Sequence, residues 1–279
     1  MGTQPKKTVL ITGCSAGGIG HALAREFQAR GLHVFATTRS VSKMASLEPL
    51  ADVTLLPLDV TSAESLAAAV AAVSKETGGT LDYLINNSGQ QVTGPVLDVD
   101  LGRMRDMYEV NVFGAVAAVQ AFAPLVIKAK GTVVNMASIA GLMYPPYMGL
   151  YAGTKSALVT ISESLRLELA PFDVKVATVI VGVVRTNFFT NTPPTLPPTS
   201  LYTAAETQIA DRAAGRDVTE RQGAPEDFAR ELVGKVLRGA TGRVYVGNLS
   251  TVVRVVNAWL PGWVVDYLTV SGTGLDRLS

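Results

Sequence analysis

Hydrophobic residues along this 279-residue chain fall into short continuous runs, separated by longer segments in which apolar positions recur with helical spacing. Short apolar runs are typical of strands in a parallel sheet that is buried on both faces. Strands are predicted in this way over residues 9–12, 33–38, 53–58, 81–85, 132–136, 174–180 and 244–246. Helices are predicted over residues 20–30, 62–77, 107–130 and 151–169, with Gly31 ending the first and Pro124 bending the third.

Because strand and helix alternate, the pattern predicts an α/β fold with right-handed crossovers. We expect a Rossmann-type, doubly wound parallel sheet with helices on both faces, in a single domain covering residues 1–279. A TIM barrel has a similar length and alternation. A glycine-rich turn after the first strand and too few strands argue against the barrel.

Residues 186–219 break the alternation. Their proline-rich stretch, 191–200, can continue neither a helix nor a central strand. We predict a substrate lid here, and a plain disordered surface loop remains the alternative.

The C-terminal tail, residues 250–279, is unusually apolar. Between residues 252 and 270 it is rich in Val, Leu and Trp, and only Arg254 and Asp266 are charged. The tail could cover the substrate cleft, pack against a second subunit of a homo-oligomer, or contact a membrane surface. Packing against protein is the favoured interpretation, because few basic residues flank the stretch to meet anionic headgroups.

Composition excludes several classes of protein. The net charge is +1 and the basic residues are scattered, so a nucleic-acid partner is not expected. Cys14 is the only cysteine, which excludes an intrachain disulfide and fits a reducing compartment. His21 and His33 form no metal-ligand pattern. With no signal peptide and no uncharged apolar stretch of membrane-spanning length expected, we predict a cytoplasmic protein without a metal, with peripheral contact at the endoplasmic reticulum or a lipid droplet left open.

The glycine-rich turn at residues 12–20 joins the first strand to the first helix. Glycines there permit a tight turn and close approach of the backbone to a pyrophosphate, which the N-terminus of the following helix attracts. Gly13, Ser15, Gly18 and Ile19 are the candidate contacts, and Cys14 is interpreted as a small residue in the turn.

The end of the second strand indicates which dinucleotide binds. Enzymes that use NAD usually place an acidic residue here for the ribose 2′-hydroxyl, but this chain has Arg39. A guanidinium can meet a 2′-phosphate instead, so NADP(H) is the predicted cofactor.

Tyr151 and Lys155 lie four positions apart on a predicted helix, with Ser138 thirteen positions before Tyr151. This spacing puts the phenol and the ammonium on one helix face. A nearby ammonium favours the phenolate, so we expect it to lower the pKa of Tyr151 towards neutrality. Such a hydroxyl can exchange a proton with a carbonyl or alcohol oxygen, and Ser138 can hold the same oxygen.

Together these features resemble the short-chain dehydrogenase/reductase family over residues 8–186. The resemblance rests on motifs in the family's order: the Thr-Gly-rich turn, Asp59, Asn86-Asn87-Ser88-Gly89, Asn111, Ser138, the Tyr151/Lys155 pair, and residues 182–186. Residues 26–31, the longer glycine turn and the Trp-containing tail resemble the fungal 1-acyldihydroxyacetone-phosphate reductase-like branch, which also includes ketoreductases of secondary metabolism.

The resemblance implies a role for each matching residue. Asn111, Ser138, Tyr151 and Lys155 would form the catalytic tetrad, with Asn111 holding a water in a proton relay. Cofactor contacts are implied for Gly13, Ser15, Gly18, Ile19, Arg39, Asp59 at the adenine, Asn87 at the adenosine ribose, Gly89, Tyr151, Lys155 at the nicotinamide ribose, and Val184 and Thr186 at the carboxamide. Transfer of the pro-S hydride is also implied.

Three positions depart from the family's pattern. The glycine turn carries one extra residue, Ser88 replaces the usual alanine, and Val181 replaces the usual proline before Gly182. The last change is expected to loosen the loop over the nicotinamide. None of the three removes a catalytic group.

We therefore expect an NADPH-dependent oxidoreductase that transfers hydride to a ketone, or removes it from a secondary alcohol. The expected substrate is a lipid-like or natural-product carbonyl compound. Two alternatives stay open: a pericyclase or isomerase on the same fold, and a non-catalytic nucleotide sensor. The resemblance does not choose between lipid and natural-product substrates.

Overall fold

A single parallel sheet organises the computed structural model, which describes residues 6–190 and 196–278. Within these residues the sheet has seven strands in the order β3-β2-β1-β4-β5-β6-β7. The strands are β1 (Thr8–Thr12), β2 (His33–Thr38), β3 (Val53–Pro57), β4 (Tyr83–Asn86), β5 (Thr132–Met136), β6 (Lys175–Val181) and β7 (Gly242–Val246). This confirms the Rossmann-type fold, with strand ends within two residues of those predicted.

Nine α-helices accompany the sheet in the described residues. They are α1 (Ile19–Ala29), α2 (Ala63–Thr77), α3 (Leu101–Tyr108), α4 (Gly114–Ala129), α5 (Gly149–Leu169), α6 (Glu206–Ala213), α7 (Pro225–Leu237), α8 (Ser250–Trp259) and α9 (Gly262–Val270). The helix predicted over residues 107–130 differs most, since helical structure begins at Leu101 and a π-helical turn, Glu109–Phe113, separates α3 from α4.

Apolar residues bury both faces of the sheet. On one face α1 and α7 contribute Phe27 and Leu232 to a core that includes the β1 residue Ile11. On the other, α2 and α4 contribute side chains such as Phe122 around Leu10. All five residues of β1 are buried, which explains why its sequence is a continuous apolar run rather than an alternating one.

The helical stretch Leu101–Ala129 is long and apolar enough to cross a membrane, by length and composition. It contains the uncharged segment 110–127, so the expectation that no such segment exists is wrong. Half of its most apolar window is buried within this fold, where Phe122 and Val126 are core residues. A helix that lies against a sheet needs this composition.

The described part of the lid segment is largely helical. It includes α6 and three 3₁₀ turns, at Asn187–Thr190, Thr203–Ala205 and Arg216–Arg221. Five residues of the proline-rich stretch, 191–195, lie outside the described residues.

The C-terminal tail forms the helices α8 and α9, which were not predicted. Val253 and Val265 are buried, but Trp259 and Trp263 are 82% and 75% exposed. The fold of a single chain therefore does not cover the tryptophans, contrary to the idea that the tail packs wholly into its own cleft.

Candidate active site

A cavity of about 1310 Å³ lies at the carboxyl ends of the strands. The sheet reverses its direction of growth between β1 and β4, and ligands of open α/β sheets bind at such a point. Asn111 is the only predicted site residue that does not line the cavity within the described part of the chain. The others all line it: Gly13, Ser15, Gly18, Ile19, Arg39, Asp59, Asn87, Gly89, Ser138, Tyr151, Lys155, Val184 and Thr186.

The glycine turn is fitted tightly to its surroundings. Gly13 has a φ of 76°, and a Cβ added there would lie 3.0 Å from the Cα of Ser88. At Gly20 an added Cβ would lie 2.4 Å from the carbonyl oxygen of Gly13. Only glycine fits at these two positions, which lets the turn lie close against the loop after β4 and against α1.

Asn87 supports this turn. Its side-chain amide donates hydrogen bonds to the carbonyl oxygens of Thr12 and Gly13, at 2.9 and 3.0 Å. Gly18 precedes α1 and provides no side-chain cap, so the first N–H groups of the helix face the cavity without one. Free N–H groups at a helix N-terminus form an anion-binding site.

Two cations lie at the end of β2. Arg39 and Lys43 are both exposed, and both line the cavity. The carboxylate of Asp59 lies opposite, where it accepts hydrogen bonds from the N–H and hydroxyl of Thr61, at 3.0 and 2.8 Å. These bonds, and the charge of Arg39, hold the pKa of Asp59 below its ordinary value. Lys43 was not predicted as a cofactor contact, although its position four residues after Arg39 could have indicated a second cation near the 2′-phosphate.

Tyr151 and Lys155 lie on one face of α5, and both are buried. The ammonium of Lys155 donates to the carbonyl oxygen of Met136 at 2.8 Å and lies 5.8 Å from the centroid of the Tyr151 ring. Ser138 ends the loop after β5 and caps a 3₁₀ turn, its hydroxyl accepting from the N–H of Ala140 at 3.1 Å. The predicted proton-transfer residues are therefore brought together.

Their ionisation differs from the expectation. Burial raises the pKa of Tyr151 to about 12, and a hydrogen bond with Ser138 only partly offsets the effect of burial. Burial also lowers the pKa of Lys155 to about 8. The prediction that Lys155 draws the pKa of Tyr151 towards neutrality is wrong for this structure, because loss of water around the buried phenol is the largest effect on this pKa.

Asn111 lies behind the cavity wall, in the π-helical turn. Its carboxamide accepts from the N–H of Gln90 at 2.8 Å and donates to the Gln90 carbonyl oxygen at 2.8 Å and the Thr154 hydroxyl at 3.1 Å. The hydroxyl of Thr154 in turn donates to the carbonyl oxygen of Tyr151 at 2.7 Å. Asn111 therefore holds the loop after β4 against the helix that carries Tyr151. The inserted π turn, a frequent feature of functional sites, places Asn111 there.

The loop after β6 is well anchored, although Val181 replaces a proline. The N–H groups of Gly182 and Val183 donate to the carbonyl oxygens of Val246 and Asn248, at 2.8 and 2.9 Å. The N–H of Val184 has no acceptor within the described residues and lies at the cavity, while the Thr186 hydroxyl accepts from the N–H of Phe188 at 3.3 Å. These two bonds fix the start of the loop, and a loosening by Val181 stays a prediction.

The other half of the cavity is built from the segment predicted as a substrate lid, the C-terminal tail and the loop before α5. Tyr147 donates from its hydroxyl to the carbonyl oxygen of Thr273 at 3.1 Å, which ties the loop before α5 to the C-terminal end of the chain. Arg212 of α6 is ion-paired with Asp217. Val252 and Val256 of α8 line the same space. Among the described residues no cluster of three metal-ligating side chains occurs.

Comparisons with known proteins identify relatives of this chain. A short-chain dehydrogenase of Penicillium ochrochloron, ptmH, is 46% identical over 271 residues, covering 97% of this chain and 99% of that protein. The NADPH-dependent 1-acyldihydroxyacetone phosphate reductase of Schizosaccharomyces pombe is 37% identical, covering 83% and 80%.

Two solved structures share the fold. A Burkholderia cenocepacia short-chain dehydrogenase in complex with NADP superposes with a TM-score of 0.75 at 24% identity, covering 96% of this chain and 98% of that one. A Burkholderia phymatum short-chain dehydrogenase/reductase in complex with NAD gives 0.76 at 25% identity, covering 91% and 94%. The family model described as short chain dehydrogenase matches residues 7–196, and this chain belongs to that family of oxidoreductases.

Proposed function

We propose that this protein is an NADPH-dependent reductase that converts a ketone to a secondary alcohol. The observation that carries the proposal is that Ser138, Tyr151 and Lys155 meet at one cavity, with the Lys155 ammonium 5.8 Å from the centroid of the buried Tyr151 ring. Burial raises the pKa of Tyr151, so its phenol is protonated at neutral pH. A proton donor must be in that state, and Ser138 is placed to hold the same substrate oxygen.

The choice of NADPH rests on charge. The two solved structures carry NADP in one case and NAD in the other, so the shared fold does not decide between them. Arg39 and Lys43 at the end of β2 match a 2′-phosphate, and the S. pombe relative is named as NADPH-dependent. The glycine turn and the uncapped N-terminus of α1 line the same cavity and would hold the pyrophosphate.

When bound, NADPH supplies a hydride to the carbonyl carbon. The protein orients the ketone oxygen between Ser138 and Tyr151, and the Tyr151 hydroxyl gives its proton to that oxygen. Lys155 places a charge beside the phenolate that results, since its ammonium is held over the ring. Val184 offers a free backbone N–H to the carboxamide. The protein therefore contributes positioning and electrostatic stabilisation.

The test is a screen of ketones with NADPH and NADH, in which cofactor oxidation and alcohol formation are both quantified. We expect one NADPH consumed for each alcohol formed. Product formed without NADPH consumption would favour a pericyclase or isomerase. NADPH binding without turnover of any ketone would favour a nucleotide sensor.

We also propose that the protein is cytoplasmic and that its tail contacts a membrane surface, rather than the protein surface that the sequence alone favoured, because the tail tryptophans are exposed in the folded chain. Trp259 and Trp263 flank the corner between α8 and α9, and both are exposed, as is Leu260. Arg254, the one basic residue between positions 252 and 270, lies over the ring of Tyr245. An uncharged corner with aromatic side chains suits an interface that does not depend on anionic lipids.

Sedimentation with phosphatidylcholine vesicles tests this contact. Replacing both Trp259 and Trp263 by Ser should reduce the vesicle-bound fraction at least about tenfold, since each large apolar side chain contributes more than a kcal/mol when buried. Tyr144→Ser removes another exposed aromatic side chain and should have no effect. A wild-type protein that stays in solution and forms a dimer that the double variant cannot form would instead assign the corner to a subunit interface.

A further inference from the structure

One face of α8 forms a wall of the cavity. Leu249, Val252, Val253 and Val256 all line it, and their spacing is that of a single helical stripe. The helix packs against the 3₁₀ turn Ile139–Leu142, to which Asn257 donates a hydrogen bond at the Leu142 carbonyl oxygen. Because Ser138 caps that turn, the apolar stripe is attached directly to the segment that carries the serine hydroxyl.

The loop before α5 adds further apolar surface. Met143 and Met148 line the cavity on either side of Tyr147, whose hydroxyl is already used by Thr273. Methionine side chains adapt their shape to a hydrocarbon ligand. A ketone held at Ser138 and Tyr151 therefore has apolar side chains next to its body.

The charged residues of this half do not match an anion. Asp211, Arg212, Asp217 and Arg221 line it, and their charges sum to zero. Arg212 is paired with Asp217, and Asp211 with Arg216. Of these four residues, only Arg221 has no ion-pair partner in the described part of the chain, and it is exposed. A phosphate monoester would find one exposed guanidinium here, whereas the cofactor half offers Arg39 and Lys43.

From this contrast we infer that the substrate is an uncharged ketone with a largely hydrocarbon body that lies along α8, and that Val252 and Val256 determine this specificity. The inference rests on the proposed reductase function. The inferred substrate differs from a phosphorylated ketone, for which the S. pombe relative is named.

A matched pair of ligands tests it: 1-palmitoyl-dihydroxyacetone phosphate and the same ketone without the phosphate. Binding is measured by fluorescence on NADPH-loaded Tyr151→Phe protein, so the result does not depend on turnover. We expect the uncharged ketone to bind at least about tenfold more tightly, because the phosphate would be desolvated without a matching cation. Equal binding, tighter binding of the phosphate form, or binding of neither would overturn the inference.

Two neighbouring substitutions locate the effect on α8. Val256→Arg places a cation on the apolar stripe of α8 and should weaken binding of the uncharged ketone at least about tenfold. The ratio of its affinity to that of the phosphate form should also become smaller. Val255→Arg makes the same change at a residue of α8 that does not line the cavity, and it should alter neither the binding of the uncharged ketone nor its ratio to that of the phosphate form. Equal effects of the two would contradict a role for the stripe.

An unchanged NADPH dissociation constant shows that each variant is folded. If Val256→Arg does not fold, Val256→Ser provides a smaller polar change, for which weaker binding of the uncharged ketone is again expected. A different result would contradict the reductase proposal: a wild-type protein that oxidises NADPH with none of the ketones. The preference for an uncharged ligand can hold or fail in either case, because it is measured as binding.

Discussion

The two halves of the cavity are built in different ways. The cofactor half is made of short loops that follow β1, β2, β4 and β6, and its key groups are set by backbone geometry and hydrogen bonds between neighbouring loops, such as those of Asn87 to Thr12 and Gly13. The substrate half is assembled from α6, α8, the loop before α5 and the C-terminal end, which are far apart in sequence. Local sequence therefore reveals the cofactor half, while the substrate half emerges only from tertiary packing.

Tyr151→Phe gives the largest expected effect at the junction of the two halves. Removing the hydroxyl should lower the reduction rate at least about a hundredfold, the usual scale for losing a general acid. NADPH affinity should be retained, because the cofactor half is built by other residues. Steady-state kinetics and a fluorescence titration measure the two quantities.

Tyr144→Phe is the matched control, since Tyr144 is 80% exposed and lies in the same loop region. It should behave as the wild-type protein does. A Tyr151→Phe protein with undiminished turnover would remove the basis for the reductase proposal.

Arg39→Asp should change the cofactor half alone. A charge-assisted contact to a phosphate contributes about 1.5–3 kcal/mol, so replacing the cation by an anion should shift the ratio of NADPH to NADH dissociation constants by more than tenfold towards NADH. Ketone affinity should not change. Arg103→Asp, at an exposed position of α3, controls for the change in net charge. A wild-type preference for NADH would show that Arg39 has been misinterpreted.

The buried Lys155 gives a smaller effect, visible in stability. Its pKa is about 8 in the fold against 10.5 ordinarily, so folding disfavours the charged form. This cost is fully present below pH 8 and is relieved as pH rises towards 10.5, where the unfolded chain also loses its proton. The wild-type protein should therefore gain stability relative to Lys155→Met between pH 8 and 10. Its unfolding equilibrium constant should fall, relative to that of the variant, by at most about tenfold per pH unit.

Chemical denaturation of both proteins across this range measures the difference. The window stops at pH 10 because Tyr151, whose pKa is raised to about 12, adds an opposite trend above it. A stability difference that is constant with pH would show that Lys155 is not desolvated as the structure indicates.

Much of the fold could be predicted from the sequence, because buried parallel strands are continuous apolar runs. The glycine turn, Arg39 and the Tyr151/Lys155 pair could be found because their chemistry depends on residues close together in sequence. The π turn that moves Asn111 behind the wall has no comparable pattern.

Two features depended on burial and packing. The direction in which the pKa of Tyr151 shifts could not be predicted, since the spacing of residues indicates the neighbouring ammonium but not the loss of water around the phenol. The α8 stripe was present in the sequence as helical periodicity at Leu249, Val252, Val253 and Val256, but only the fold shows that it faces the cavity.

The most direct test of the central claim is isotope transfer from the cofactor to the ketone. NADPH labelled with deuterium at the pro-S position of C4 is incubated with the protein and a reducible, uncharged ketone, and the alcohol is examined by mass spectrometry and NMR. We predict one deuterium on the carbon that bears the new hydroxyl, and none when the pro-R label is used. Alcohol that carries no deuterium from either label would contradict hydride transfer in this cavity.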